Sequence, residues 1–294
     1  MITEPRIRIL ESDQIGSVLK RRELRFSEAE DAVKPIIEAV RTRGDDALME
    51  YAKRFDGFEG NSFLAMRDEL SLAERSVSES FTSAVKQARD NIEAFARLQL
   101  PQEFRRELSP GHVVGQIIRP IDRAAAYVPG GRYPLPSTVL MTVLPAMVAG
   151  VPDIWVTTPR HNREVYAAAS LCGVKNVARL GGAHAIAAFA FGTETIPKAT
   201  RIVGPGNIYV SAAKKLLSGE VGIDFVAGPT EVLIIANEGD PKWIAADMLA
   251  QAEHDTDAAA ILVTTSRKLA EEVALELERQ LESLPTSETA RASI

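Results

Sequence analysis

Four times along this chain a short β-type run meets a Gly/Pro turn, and three of those turns lead into a helical pattern. Ala124-Ala-Ala-Tyr127-Val-Pro-Gly-Gly131 is followed by the helical stretch Thr138 to Val148. Val177-Ala-Arg-Leu-Gly-Gly182 is followed by Ala183 to Phe191, and Arg201-Ile-Val-Gly-Pro-Gly-Asn207 by Ile208 to Leu217. The fourth, Phe225-Val-Ala-Gly-Pro-Thr-Glu231, runs into the apolar Val232 to Ala236. Parallel strands cannot be joined by a tight hairpin and need a crossover, so strand, turn and helix in alternation spell a parallel sheet covered by helices. The fold class read from this pattern is α/β.

The remainder of the chain is organised around that block. Residues 1–121 read as a mainly helical region, 122–225 as a first α/β lobe, and 226–294 as the start of a second. In the first region Val33, Ile36, Ile37 and Val40 form one helical stripe, with Pro35 near its start and Gly44 past its end. Ala47, Leu48, Tyr51 and Phe55 share a face of a second helix. Ser71-Leu-Ala-Glu74 reads as a capping box opening a long helix that Pro101 stops. Trp155-Val-Thr-Thr158 and Leu262-Val-Thr-Thr265 each end a strand-like run after an alanine-rich helix, which suggests a repeated lobe. Ser287 and the alanines after it start another helical pattern, so the sheet lobes read as incomplete Rossmann-like units, the second cut short at Ile294.

Composition excludes several classes. With 294 residues the chain buries a core without staples, and its single cysteine, Cys172, cannot form an internal disulfide. A net charge of −6 argues against nucleic acid or an anionic membrane as partner. No signal-peptide run opens the chain, and the apolar stretch Val139 to Val151 is too short to span a bilayer, so the expected setting is the cytoplasm.

In an open α/β sheet, ligands bind in the crevice at the carboxyl ends of the strands. Val203-Gly-Pro-Gly-Asn207 opening a helix leaves amides at a positive dipole end, suited to an anion, although none of the turns is G-x-G-x-x-G. Gln251 and His254 at i, i+3 share a helix face. They read either as half of a metal site or as a helix end whose histidine the dipole favours. His184, after Gly181-Gly182, either meets a ligand or lies on the surface. Cys172 reads as a small buried residue, His112 and His161 as surface residues.

Taken together, several motifs resemble histidinol dehydrogenase: Tyr127-Val-Pro-Gly-Gly131, Tyr133-Pro-Leu-Pro-Ser-Thr138, Gly181-Gly-Ala-His-Ala-Ile-Ala187, Gly204-Pro-Gly-Asn207, Ala227-Gly-Pro-Thr-Glu231 and Gln251-Ala-Glu-His254. Val40 to Leu48 and Arg54-Phe-Asp56 are similar to the same family. The resemblance implies an NAD-dependent, zinc-requiring homodimer that oxidises L-histidinol, through the aldehyde, to L-histidine. By position it assigns Tyr127, His184 and Asn207 to NAD, Thr230 to the substrate, and Gln251 and His254 to both substrate and zinc. His184 departs from the family's glutamine. The family's Glu-His acid–base pair and its remaining zinc ligands, an aspartate and a histidine, have no counterpart up to Ile294, so this chain alone is expected to be inactive. Two alternatives stand beside this: a related NAD-dependent alcohol dehydrogenase, which His184 favours, and a non-catalytic truncated paralogue.

Overall fold

Apolar residues at helical spacing make most of residues 12–98 helical, and the computed structural model shows where each helix begins. The structure describes residues 7–130, 134–226, 231–254, 256 and 258–294. A 3-10 turn leads into α1 (Ile15–Arg43), followed by α2 (Asp45–Tyr51), a π-type turn (Ala52–Asp56), α3 (Arg67–Ser76) and α4 (Glu79–Leu98). The stripe on α1 is real, with Val33 and Val40 buried and Ile36 and Ile37 half-buried. Pro35 lies inside the helix rather than near its start, forfeiting only the bond to the Asp31 carbonyl. Ser71 likewise falls inside α3. The chain breaks at Val77, in extended conformation, and Ser78 caps α4 by accepting the Phe81 N–H at 3.1 Å.

Beyond α4 the helical expectation gives way to a hairpin. β1 (Phe104–Ser109) and β2 (His112–Gln116) pair antiparallel around Pro110-Gly111, where Gly111 takes a φ of 75°. Almost every residue of both strands is exposed, so no buried-face alternation marks them in the sequence.

The parallel sheet follows as the glycine turns require. β3 (Arg123–Tyr127), α5 (Pro136–Val148), β4 (Asp153–Thr157), α6 (Arg163–Leu171), β5 (Asn176–Ala178), α7 (Gly182–Phe191), β6 (Arg201–Val203), α8 (Ile208–Leu217) and β7 (Gly222–Ile223) alternate along the chain. In space the strands run β5-β4-β3-β6-β7, all parallel, with Ala125 of β3 opposite Trp155 on one side and Ile202 on the other. The chain thus fills one side of β3 before returning to fill the other, which puts a topological switch point between β3 and β6. α5 and α6 pack with α3 and α4 around Val139, Val143, Leu144, Val156 and Tyr166. α7 packs with α8 and α2, and it is apolar on every side because it is enclosed, Ala185 to Ala190 all having no exposure.

Contacts gather the described chain into two compact units, Ser27–Val226 and the remaining residues up to Phe26 and from Glu231 onward. The second unit holds β8 (Glu231–Ile235), α9 (Pro241–Ala252), β9 (Ala259–Val263), α10 (Arg267–Leu281) and α11 (Ser287–Ser293). β8 and β9 pair in parallel across α9, the same order as β3, α5 and β4. Ile244, Met248, Leu269, Val273 and Leu277 form its core against Ile234 and Leu262.

Among the buried side-chain groups without a hydrogen-bond partner in the described residues, one lies deep in the core of the first unit. The Tyr166 hydroxyl on α6 is fully buried and makes no hydrogen bond. A buried hydroxyl without a partner is destabilising by its lost hydration. Tyr166→Phe is therefore expected to unfold in urea with an unfolding free energy equal to the parent's or up to about 1 kcal/mol higher. A loss of stability larger than that would show that the hydroxyl is bonded in solution.

Candidate functional site

Three turns meet at the carboxyl ends of β3, β5 and β6, and Tyr127 sits among them as the last residue of β3. Its side chain is 4% exposed, and the phenol oxygen accepts the Gly182 N–H at 3.1 Å. Its backbone is approached by Gly204, just beyond β6. Gly204 has a φ of 119°, and a Cβ there would drive into the Tyr127 carbonyl, so both the conformation and the contact demand glycine.

An ion pair, its lysine buried and its aspartate half-buried, fixes that glycine. The Gly204 N–H donates to Asp224 Oδ2 at 2.8 Å, its carbonyl accepts from Lys214 Nζ at 3.1 Å, and Lys214 and Asp224 pair with each other. Three residues on, Asn207 caps α8: its Oδ1 accepts the N–H groups of Tyr209 and Val210, each at 3.1 Å. With the carbonyl committed to the cap, the exposed Asn207 side chain has its amide nitrogen left for a ligand.

The turn before α7 is anchored from the opposite direction. Asp56, at the end of the π-type turn, is 7% exposed, and its Oδ2 accepts the Gly181 N–H at 2.9 Å. The same oxygen is 2.9 Å from His184 Nε2. An ionised carboxylate only accepts, which assigns the Nε2–H form to His184. The His184 ring is enclosed, 1% exposed, with the rings of Tyr51 and Phe55 at 6.2 and 6.3 Å between centroids. Of the two readings its place after two glycines left open, the surface position is thereby ruled out. Burial, reinforced by the nearby Asp56 charge and opposed by the Gly182 bond, pushes the Tyr127 phenol up to about 12. Tyr127 thus stays protonated at neutral pH, and with its oxygen occupied by Gly182 it is a hydrogen-bond donor toward any ligand.

The second unit holds the other candidates. Gln251 lies half-buried in the last turn of α9, and His254 is exposed just past the helix, its N–H donating to the Gln251 carbonyl at 3.2 Å. Among the described residues no three His, Cys, Asp or Glu side chains gather as a metal site, so an amide and an imidazole are what this helix end offers. Glu253 accepts from the Thr286 hydroxyl at 2.6 Å and serves the packing of α11. Thr230, with the rest of Ala227-Gly-Pro-Thr230, lies outside the described residues, as do Gly131, Tyr133, Asp255 and Asp257. The structure brings Tyr127, the His184 turn and Asn207 to one sheet edge, and Gln251 and His254 to one helix end. Asp56, Lys214 and Asp224 are additions that single-sequence reasoning does not reach. Cys172 is buried and its thiol pushed up to about 11 by burial, which leaves it unreactive.

A family model for histidinol dehydrogenase matches residues 19–294. Histidinol dehydrogenase of Listeria innocua is 47% identical over 264 residues, which cover 88% of this chain and 62% of that protein. The Aquifex aeolicus enzyme is 45% identical over 286 residues, 96% of this chain and 67% of that one. A crystal structure of histidinol dehydrogenase from Elizabethkingia anophelis superposes with a TM-score of 0.80 at 36% identity, covering 98% of this chain and 64% of that chain. The chain thus spans about 62% of the length of the first of these relatives.

The buried phenols set an alkaline limit on stability. Tyr127 and Tyr166 hold their protons to about 12 when folded, against about 10 when unfolded. Between those values the unfolded state binds fewer protons, so stability is fully present below about pH 10 and declines as pH rises to about 12. Urea titrations at pH 9 and at pH 12 are expected to differ by about 2 kcal/mol for each of the two phenols, about half of it already lost at pH 11. A flat profile across that window would mean that neither phenol is buried.

Proposed function

The chain belongs to the histidinol dehydrogenase family, and on that premise we propose that it serves the NAD-dependent, zinc-dependent oxidation of L-histidinol through L-histidinal to L-histidine. The observation that carries this reading is the sheet edge at the switch point between β3 and β6, where Tyr127, Gly182, Gly204 and Asn207 converge. Ligands of open α/β sheets bind at such a point. The nucleotide side falls within 122–225. There Tyr127 would donate a hydrogen bond from its phenol O–H and Asn207 one from its amide N–H to the dinucleotide, while the positive dipole ends of α7 and α8 would favour its phosphates. His184 belongs to the same turn.

The substrate and metal side falls within 226–294, with Thr230, Gln251 and His254 as the residues that meet histidinol. NAD, when bound, would supply the hydride acceptor. Gln251 and His254 have the donor types zinc accepts, an amide oxygen and an imidazole nitrogen, yet zinc takes about four ligands. The described residues thus fit half of a zinc shell, and zinc when bound would hold the substrate's nitrogens. The family's glutamate–histidine pair for proton transfer has no counterpart by motif among these 294 residues. The chain by itself therefore binds NAD without turning over histidinol. The family reading further gives a homodimer working in the cytoplasm, and no helix among the described residues is long and apolar enough to cross a membrane.

Isothermal titration with NAD and absorbance at 340 nm in the presence of histidinol and zinc test the two halves of this reading. The expected outcome is saturable NAD binding, weakened about tenfold by Tyr127→Phe through one lost hydrogen bond, with no NADH formed. Steady NADH production by the 294-residue chain would overturn the inactivity, and an absence of NAD binding would overturn the nucleotide site.

A further inference from the structure

Asp56 and His184 form a buried ionisable couple to which neither hydride transfer nor metal binding gives a task. A buried carboxylate is held at a desolvation penalty, and an apolar pair of similar volume would stabilise a core at least as well. What the couple does supply is geometry. One oxygen, Oδ2, takes two donors from the start of α7: the N–H of Gly181, its N-cap, and Nε2–H of His184 in its first turn. The adjacent Gly182, at a φ of 56°, then directs its own N–H into the Tyr127 phenol oxygen. A Cβ on Gly181 would lie 2.9 Å from Asp56 Oδ1 and run into Pro159, so the turn is closed on that side as well.

We propose that Asp56 is a positioning residue of the dinucleotide site, with His184 as its second donor. Its carboxylate locks the Gly181-Gly182 turn, the Gly182 N–H thereby holds the Tyr127 oxygen, and the phenol's own proton is left to point at the ligand. The proposal rests on the NAD reading of this sheet edge. It makes the His184 side chain serve the nucleotide through Asp56 rather than by touching it. An amide at position 184 can still donate to Asp56, whereas an aliphatic side chain cannot.

The test uses the full chain, NAD as ligand, and Asp56→Asn, His184→Leu and His184→Gln, each checked for a cooperative melt by circular dichroism. Asp56→Asn and His184→Leu are each expected to weaken NAD binding about tenfold, and His184→Gln to stay within about twofold of the parent. With glycine-selective 15N labelling and no NAD present, the Gly181 amide proton is expected far downfield in the parent and in His184→Gln. It should move upfield in Asp56→Asn as the charge-assisted bond is lost. Should Asp56→Asn not fold, His184→Leu against His184→Gln makes the same comparison. A folded Asp56→Asn that binds NAD like the parent overturns the proposal. So does a His184→Gln as weak as His184→Leu with the Gly181 resonance unmoved, since the imidazole would then be touching NAD itself. A parent chain with the downfield Gly181 signal and no NAD binding would overturn the nucleotide reading while leaving the anchored turn in place.

Discussion

Everything at the upper edge of the parallel sheet depends on how closely Gly204 passes the end of β3. Neighbouring parallel strands finish at the same edge, so their turns compete for the same space. Here the competition is settled by removing a side chain: at a φ of 119° and against the Tyr127 carbonyl, only glycine fits. A backbone in that region is not self-sustaining. Both hydrogen-bonding groups of Gly204 are taken by one ion pair whose lysine is buried, the N–H by Asp224 and the carbonyl by Lys214. As a source of stability such a pair is weak; as a constraint on one conformation it is effective. With Gly204 fixed, Asn207 is placed to cap α8, and the dipole of that helix points into the crevice.

The elements legible in the sequence are those whose cause is local. Glycine and proline punctuate every crossover from β3 to α8, and that local chemistry marks strands and helices alike. Asn207 is legible for the same reason, since an N-cap contacts residues two and three positions on. Helix limits are less so: Ser71 has the composition of a cap, but Val77 and Ser78 decide the break because the chain must turn there for α3 to pack on α6 and α4 on α5. The hairpin of β1 and β2 is hidden because both faces are exposed, which erases the alternation a half-buried strand would carry.

The site residues obey the same division. Asp56 meets Gly181 across 125 positions and His184 across 128, and no spacing rule spans such a separation. A motif comparison can mark Arg54-Phe-Asp56 as familiar without saying what the aspartate holds. Gln251 and His254 show the reverse case. Their i, i+3 relation is visible at once, yet the spacing alone does not separate two metal donors from the polar end of α9. Their donor types gain meaning only from the family to which the chain belongs.

Tyr127 joins the fold's stability to its proposed use. The burial that keeps its phenol protonated far above neutrality makes it a dependable donor, and the same burial makes the folded state vulnerable when alkali forces that proton off. Asp56 pushes in the same direction, since its negative charge disfavours a second negative charge nearby. The Asp56 carboxylate therefore acts on the phenol twice, through the backbone of Gly181-Gly182 and through its charge. Opening this corner to water would lower the phenol's pKa and loosen the turn at once. The dryness of the site is thus the common cause of its rigidity and of its donor.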